Sequence, residues 1–382
     1  MTADRDPLAG LGAVLPAIAA AAPWHDRDGT VPRDSLALLH QAGFAALTVP
    51  AALGGGGAGL RLAAEAIARI GAACPATALI LAMQYLKQAA LARSPAWPEP
   101  LKRQLGREAV EEGALVNAIR VEPELGSPTR GGLPATTARR SAGGWVISGR
   151  KRYATGIGAL RWLEVFARTE EAAPRIGSFL VPAGAPGVTV VESWNHLGLR
   201  GSGSHDLVLE AVEIPADHAI GLAPPGGATL DPVQAVWNGV LVPAVYTGIA
   251  RAARDWVVQF LRSRVPSGLG APLATLPRMQ EAVGRIEALL AANARIMEAL
   301  ALATDAGTPP APAEAAALQA VLVENAVRAV EGATLLAGNH AHDRAFPLER
   351  HWRDVQCARI HAPTADAAHL AAGRAALAET AA

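Results

Sequence analysis

The sequence predicts an α+β chain in three parts: an N-terminal helical domain over residues 1–115, a central antiparallel β domain over 116–228, and a C-terminal helix bundle over 229–382. Three observations predict it. Apolar residues recur at helical spacing at both ends, as in "DSLALLHQAGFAAL" and in long segments after residue 230. Between those ends the pattern changes to short alternating runs separated by Gly and Pro. The composition agrees: 51% of the 382 residues are hydrophobic but only 4% are aromatic. Ala and small aliphatic side chains, which suit packed helices, therefore supply most of the apolar surface.

The elements follow in order. "LAGLGAVLPAIAAAAP" reads as an amphipathic first helix and not as a secretory leader, because "MTADRD" before it is acidic on balance and a proline interrupts the run. "RLAAEAIARIGAA" continues the helical pattern after the loop "TVPAALGGGGAGL". No Gly-Lys-Ser/Thr follows those glycines, so the loop is a turn and not a phosphate loop. "GGWVISG", "RWLEVFART", "GSFLVP", "GVTVVESW" and "HDLVLEAVEIP" read as antiparallel strands. "RGSGSHD" (200–206) precedes a strand and lacks a third glycine, so it is not a dinucleotide fingerprint. Periodicity then predicts helices over 231–264, 273–303, 314–338, 347–362 and 364–380. The Pro-rich "TDAGTPPAPAE" (304–314) connects two of them, and Pro363 separates the last two.

Several function classes drop out on composition. The formal net charge is zero, which gives no electrostatic footprint for nucleic acid or an anionic membrane. No unbroken apolar run reaches the length of a membrane span. Cys74 and Cys357 are the only cysteines, which excludes a disulfide framework. His340, His342, His351 and His361 crowd toward the C-terminus without an HExxH or Glu-x-x-His pair, so no metal site is expected. The expectation is a soluble, cytoplasmic protein acting on a small molecule.

Candidate site residues lie in three places. In "EPELGSPTRGG", Gly126 and Ser127 offer backbone N–H groups and a hydroxyl to a phosphate or a flavin edge. In "SGRKRYATG", Tyr153 and Thr155 are two apart, so in extended backbone they share a face, and an aromatic beside a hydroxyl suits a flat heteroaromatic ring. In "LERHWRDVQCARIHAP", Arg350 and Asp354 form an i,i+4 pair, and His361 falls in the predicted last turn. There the helix dipole favours its protonated form and burial opposes it, which makes it a candidate general base or proton donor near neutral pH.

Taken together, "VPAALGGGG", "EPELGS", "GGWVISGRKRYATG", "LGLRGSGSHDLVLEAVEIP" and "ERHWRD", in this order on a helical–β–helical plan, resemble the acyl-CoA dehydrogenase superfamily. The resemblance implies a flavin, FAD or FMN, at the junction of the β domain and the bundle. It also implies a homo-oligomer, tetramer or dimer, with flavin sites completed across subunits. By this resemblance Ser127 lines the flavin and substrate cleft, Tyr153 and Thr155 face the isoalloxazine, and Arg264 reaches a neighbouring subunit's flavin phosphates. Gly338 is the retained member of a glycine pair that contacts the adenosine half, with Ala337 in place of the other. Val121 stands where a threonine usually precedes Glu-Pro.

The resemblance breaks at the chemistry. Dehydrogenation of an acyl-CoA needs a carboxylate to remove the α-proton, and the two positions where the resemblance places it fall at Ala362 and near Asn238, with Gly239 at the adjacent position that is often arginine. A histidine followed closely by a proline, as His361 and Pro363 are, is similar instead to the flavin-dependent monooxygenase branch that includes dibenzothiophene monooxygenase. That branch implies reduced flavin from a separate reductase, O2, and a small organic substrate. It implies His361 and Thr155 as catalytic groups, with Gln84 where a further histidine is expected. Two other readings stand beside it: an acyl-CoA dehydrogenase whose base is Asp231, Glu331 or Asp366, and a catalytically altered flavin-binding homologue.

Overall fold

In the computed structural model, which describes residues 7–125, 132–226 and 231–378, the chain enters as helices. These are α1 (Ala9–Asp28), α2 (Arg33–Gln41), α3 (Leu60–Ala73), α4 (Pro75–Arg93) and α5 (Glu99–Glu111). On α1 the buried residues Leu11, Ile18 and Ala22 are seven and four apart, one stripe of a 3.6-residue helix. Helix α4 is buried nearly all round, so apolar side chains stand on every face of it.

The glycine-rich loop before α3 has a structural job. A Cβ on Gly59 would sit 2.6 Å from Asp305 Oδ1. With no side chain in the way, the Asp305 carboxylate accepts the Leu60 N–H at 2.7 Å and the Arg61 N–H at 3.0 Å. A protein carboxylate thus fills the N-terminus of α3, where free N–H groups and the helix dipole favour an anion. Asp305→Ala is expected to cost about 1 kcal/mol, the usual worth of such a cap, read as a lower urea midpoint with unchanged secondary structure.

The central sheet has eight strands: β1 (Leu115–Ile119), β2 (Thr137–Ser141), β3 (Gly144–Ala154), β4 (Leu160–Thr169), β5 (Ile176–Pro182), β6 (Val188–Val191), β7 (His205–Pro215) and β8 (Ala219–Ala223). Their order is β6-β7-β3-β2-β4-β5-β8, with β1 paired to β4. Most pairs are antiparallel, as expected, but β1 and β2 each run parallel to β4. Trp145, Ile147, Leu163, Val165, Phe179 and Leu207 form the core of this domain, with Ile80 of α4 and Leu36 of α2 packed on it.

The bundle consists of α6 (Pro232–Ser263), α7 (Pro277–Asp305), α8 (Pro312–Ala337), α9 (Leu348–Gln356) and α10 (Ala365–Leu377). Proline opens α6, α7 and α8, where its missing N–H costs nothing. Helix α6 is long and apolar enough to cross a membrane, yet 78% of its most apolar window is buried inside the protein, so that apolarity serves the core. Its backbone nearly touches α3: a Cβ on Gly248 would lie 2.3 Å from Ala68 O, and one on Gly71 would lie 2.7 Å from Val245 O. Only residues without a side chain permit this crossing, and it fixes the rotation of α6 around Val245 and Tyr246.

One predicted boundary is corrected. The helix read as 347–362 ends at Gln356, a 3₁₀ turn runs from Cys357 to Ile360, and His361 is extended (φ −71, ψ 140). His361 is therefore outside the helix, and the dipole argument for its protonated form does not apply.

Candidate active site

Strand β3 loses register with β7 between Lys151 and Ala154, and the irregularity turns Tyr153 out of the sheet. Tyr153 adopts φ 58, and the Thr155 N–H folds back onto its carbonyl at 2.9 Å. A bulky residue in the left-handed region costs about 1–3 kcal/mol, and such strain gathers at functional sites. What it achieves here is exposure: the Tyr153 ring is 44% exposed and stands edge-on to Trp194 and His196, at 6.3 and 6.1 Å. Those two rings stack on each other at 3.7 Å.

Behind Thr155 lies a chain of hydroxyls. Ser204 Oγ donates to Thr155 Oγ1 at 3.0 Å, and Ser202 Oγ lies 2.9 Å from Ser204 Oγ. Ser204 has one proton and gives it to Thr155, so Ser202 must donate to Ser204. The Thr155 oxygen is satisfied from behind, and its own proton is left to donate outward. Asn117 of β1 holds the Thr155 carbonyl at 3.1 Å, and Ser202 O accepts the Gly156 N–H at 2.8 Å.

The loop carrying Trp194, Ser202 and Ser204 is held by α9. The Leu199 N–H donates to Asp354 Oδ1 at 2.6 Å, while Arg353 joins Asp26, Glu349 and the Leu197 carbonyl. This is what "ERHWRD" does: it braces the loop that backs Thr155. Burial pushes the Asp354 carboxyl up to about 7. Its folded pKa lies above the unfolded value near 3.9, so its favourable contribution is present at low pH and is lost as pH rises through about 7. Asp354→Asn stays neutral and can still accept from Leu199. The variant's urea midpoint, relative to the unaltered protein, is expected to rise steadily from pH 4 to pH 7.5.

The second group sits between α6 and the segment after α9. His361 Nε2 lies 2.6 Å from Tyr246 Oη. Tyr246 is fully buried and His361 half-buried. Burial pushes the phenol well above its usual value and the imidazole down to about 4, so both are neutral at physiological pH. This replaces the expectation of a histidine poised near neutrality.

The remaining predicted residues separate. Gln84 is fully buried and its amide is used at both ends, donating to Ala114 O at 3.2 Å and accepting the Val116 N–H at 2.8 Å. Those two bonds hold the start of β1 in place, which gives the amide an architectural use. Val121 contributes its carbonyl, which accepts the Arg152 N–H at 2.9 Å and ties the segment after β1 to β3. Gly126 and Ser127 lie outside the described residues. Arg264 is exposed and closes the C-terminus of α6 with its backbone N–H. Gly338 ends α8 with φ 58, and nothing lies within 4 Å of where its Cβ would be. Among the described residues no group of three or more His, Cys, Asp or Glu side chains could hold a metal.

Sequence reading missed Ser202, Ser204, Trp194, His196 and Tyr246. The first two stand in "RGSGSHD", where the spacing of the glycines says nothing of the hydroxyls between them. Tyr246 sits eight residues beyond Asn238 on the same helix, and its partner is 115 positions away. The assembled wall fits a flavin: an exposed ring freed by a strained bulge, two further rings against it, and a hydroxyl whose proton has no use behind it.

Family models for the N-terminal, middle and C-terminal domains of acyl-CoA dehydrogenase match residues 15–93, 120–212 and 240–366. A putative acyl-CoA dehydrogenase, YdbM of Bacillus subtilis (strain 168), is 34% identical over 348 residues, covering 89% of this chain and 88% of that protein. A solved structure of KijD3 with FMN and dTDP-3-amino-2,3,6-trideoxy-4-keto-3-methyl-D-glucose is 29% identical, with a TM-score of 0.85 over 99% of this chain and 94% of that one. The nitrososynthase from Micromonospora carbonacea var. africana is 25% identical, with a TM-score of 0.84 over 99% and 98% of the two chains.

Proposed function

We propose that this chain, which belongs to the acyl-CoA dehydrogenase family of flavin-dependent oxidoreductases, is a two-component monooxygenase acting on a small organic substrate. One observation carries the reading: among the described residues, neither expected position carries a carboxylate to remove an α-proton. Ala362 and Asn238 hold the two expected places. Of the three carboxylates nearest in sequence, Asp231 caps α6 through the Val233 N–H at 2.9 Å and pairs with Arg93 at 3.2 Å. Glu331 pairs with Arg359 at 3.7 Å on the surface, and Asp366 is exposed in the first turn of α10. The polar pair beside the expected position is His361 with Tyr246. The FMN in the KijD3 structure supports the same direction.

Reduced flavin, when bound, supplies the electrons that activate dioxygen toward the substrate. The chain's part is to hold and orient. Tyr153, Trp194 and His196 would flank the ring, and Thr155 would direct its free proton to an acceptor on the flavin's edge. Ser204 and Ser202 keep that proton pointing outward. The flavin is FMN or FAD, delivered by a separate flavin reductase in the cytoplasm. The assembly is a homotetramer or dimer in which Arg264, exposed in the single chain, reaches a neighbour's flavin.

The YdbM similarity supports a second reading, acyl-CoA dehydrogenation. The two separate in one experiment. Flavin-loaded protein is mixed anaerobically with a panel of acyl-CoA thioesters, and reduced-flavin-loaded protein is mixed with oxygen. We expect the oxidised-flavin spectrum to stay unchanged in the first and hydrogen peroxide release to lag well behind that from free reduced flavin in the second. Bleaching by any acyl-CoA would overturn the monooxygenase reading.

A further inference from the structure

We infer that Tyr246 is a positioning residue that locks His361 in the Nδ1–H tautomer, so that His361 presents a neutral hydrogen-bond donor to the substrate and not a base. The argument starts from Tyr246. Its hydroxyl is fully buried, and its one hydrogen bond among the described residues is to His361 Nε2 at 2.6 Å. A buried hydroxyl proton must have an acceptor. Nε2 is the acceptor on hand, so it carries the lone pair, and the ring proton must sit on Nδ1. The opposite arrangement, Nε2–H donating to Oη, would leave the phenol proton unpaired inside the core.

The ring is also fixed in angle. Tyr246 lies one residue from Val245, where α3 and α6 approach through Gly71 and Gly248 and α6 cannot rotate. The two rings are tilted by 52° with centroids 5.6 Å apart, so the imidazole leans on the phenol as well as bonding to it. Nδ1 has no partner among the described residues, and it is absent from the set of sealed polar atoms that includes His351 Nδ1. It is the open corner of a half-buried ring.

The consequence, which rests on the monooxygenase reading, is a substrate class. A molecule oriented by an N–H donor must offer a lone pair at that point, as a carbonyl, a phenolate or an N-oxygenated group does. A substrate that needs deprotonation at this position would meet the wrong tautomer.

Solid-state ¹⁵N NMR of flavin-free protein labelled at histidine tests the inference, with the His361→Gln variant identifying the His361 signals. The unaltered protein is expected to show His361 with Nδ1 protonated and Nε2 bare and hydrogen-bonded. In Tyr246→Phe the Nε2–H form is expected to appear in at least a third of the population. A protonated Nε2 in the unaltered protein would overturn the inference without any variant, as would a Tyr246→Phe protein that keeps the Nδ1–H form. Because no flavin is present, failure here is distinct from failure of the monooxygenase reading, which the acyl-CoA panel decides alone.

Discussion

His361→Ala is expected to lower oxygen-transfer turnover by about 10²–10³-fold, the usual loss on removing one preorganised donor from an active site, while flavin affinity stays within about twofold. The asymmetry follows from where the groups sit. The residues that suit the flavin are Tyr153, Thr155, Trp194 and His196 on the sheet and its loop, and no hydrogen bond joins them to His361. His361 hangs instead on α6 through Tyr246. Alanine removes the outward donor and leaves the Tyr246 phenol without an acceptor, which costs about 1–3 kcal/mol of stability. His361→Gln separates the two effects: its amide oxygen can accept from Tyr246 and its amide N–H can donate outward. The glutamine variant should recover the stability and about a tenth of the turnover. The readouts are turnover on a substrate found by oxygen-uptake screening, flavin affinity by fluorescence quenching, and thermal midpoint. A glutamine variant as inactive as alanine would point back to proton transfer by His361.

The pH profile checks the same assignment. Burial pushes the imidazole down to about 4, so it is neutral between pH 5.5 and 8. A donor role predicts no limb in the rate profile attributable to His361 between pH 5.5 and 8. The folded value lies below the unfolded one near 6.5, so His361 costs stability as pH falls from 6.5 toward 4. His351, fully buried and pushed down to about 3 by burial and by Arg350, acts in the same direction.

What was legible in the sequence was whatever repeats along it. The helices of both ends announced themselves by period, and five strands by alternation between glycine and proline turns. Strands β1, β2 and β8 did not, because "LVNAI" and "AIGLA" are short apolar runs without alternation and "TARRS" carries two arginines. β1 and β8 take their places from partners some forty residues away, β4 and β5, while β2 hairpins onto β3 but also runs parallel to the end of β4. The same distinction governs the site. Thr155 and Tyr153 could be found because they are neighbours in one segment. The serine chain needed residues 155, 202 and 204 together, and the Tyr246–His361 pair needed α6 against the segment after α9. The sequence points to His361 but not to its protonation, because the helix end at Gln356 and the phenol across the gap are both tertiary facts.

Lys151→Met is expected to be the most destabilising single change in the β domain, by about 3–5 kcal/mol, because it strips the counter-charge from a buried carboxylate. Lys151 is fully buried on β3, with Nζ 2.7 Å from Glu122 Oε1 and a further bond to the Phe166 carbonyl. Glu122 is equally buried, and its two oxygens also accept the Ala135 N–H at 2.6 Å and the Thr136 N–H at 3.1 Å. Burial pulls the lysine down to about 8, and the neighbouring carboxylate keeps it from falling further. The pair ties Glu122, Ala135 and Thr136 to β3, two residues before Tyr153. It therefore governs whether the bulge that exposes Tyr153 and aims Thr155 survives. The double variant Lys151→Met with Glu122→Gln removes the buried charge altogether, and should recover part of the loss even though one of the two backbone N–H groups goes unpaired. Thermal and urea unfolding of the three variants form the cycle. If the double variant is no more stable than Lys151→Met alone, the lone-charge explanation fails and the lysine acts mainly through Phe166.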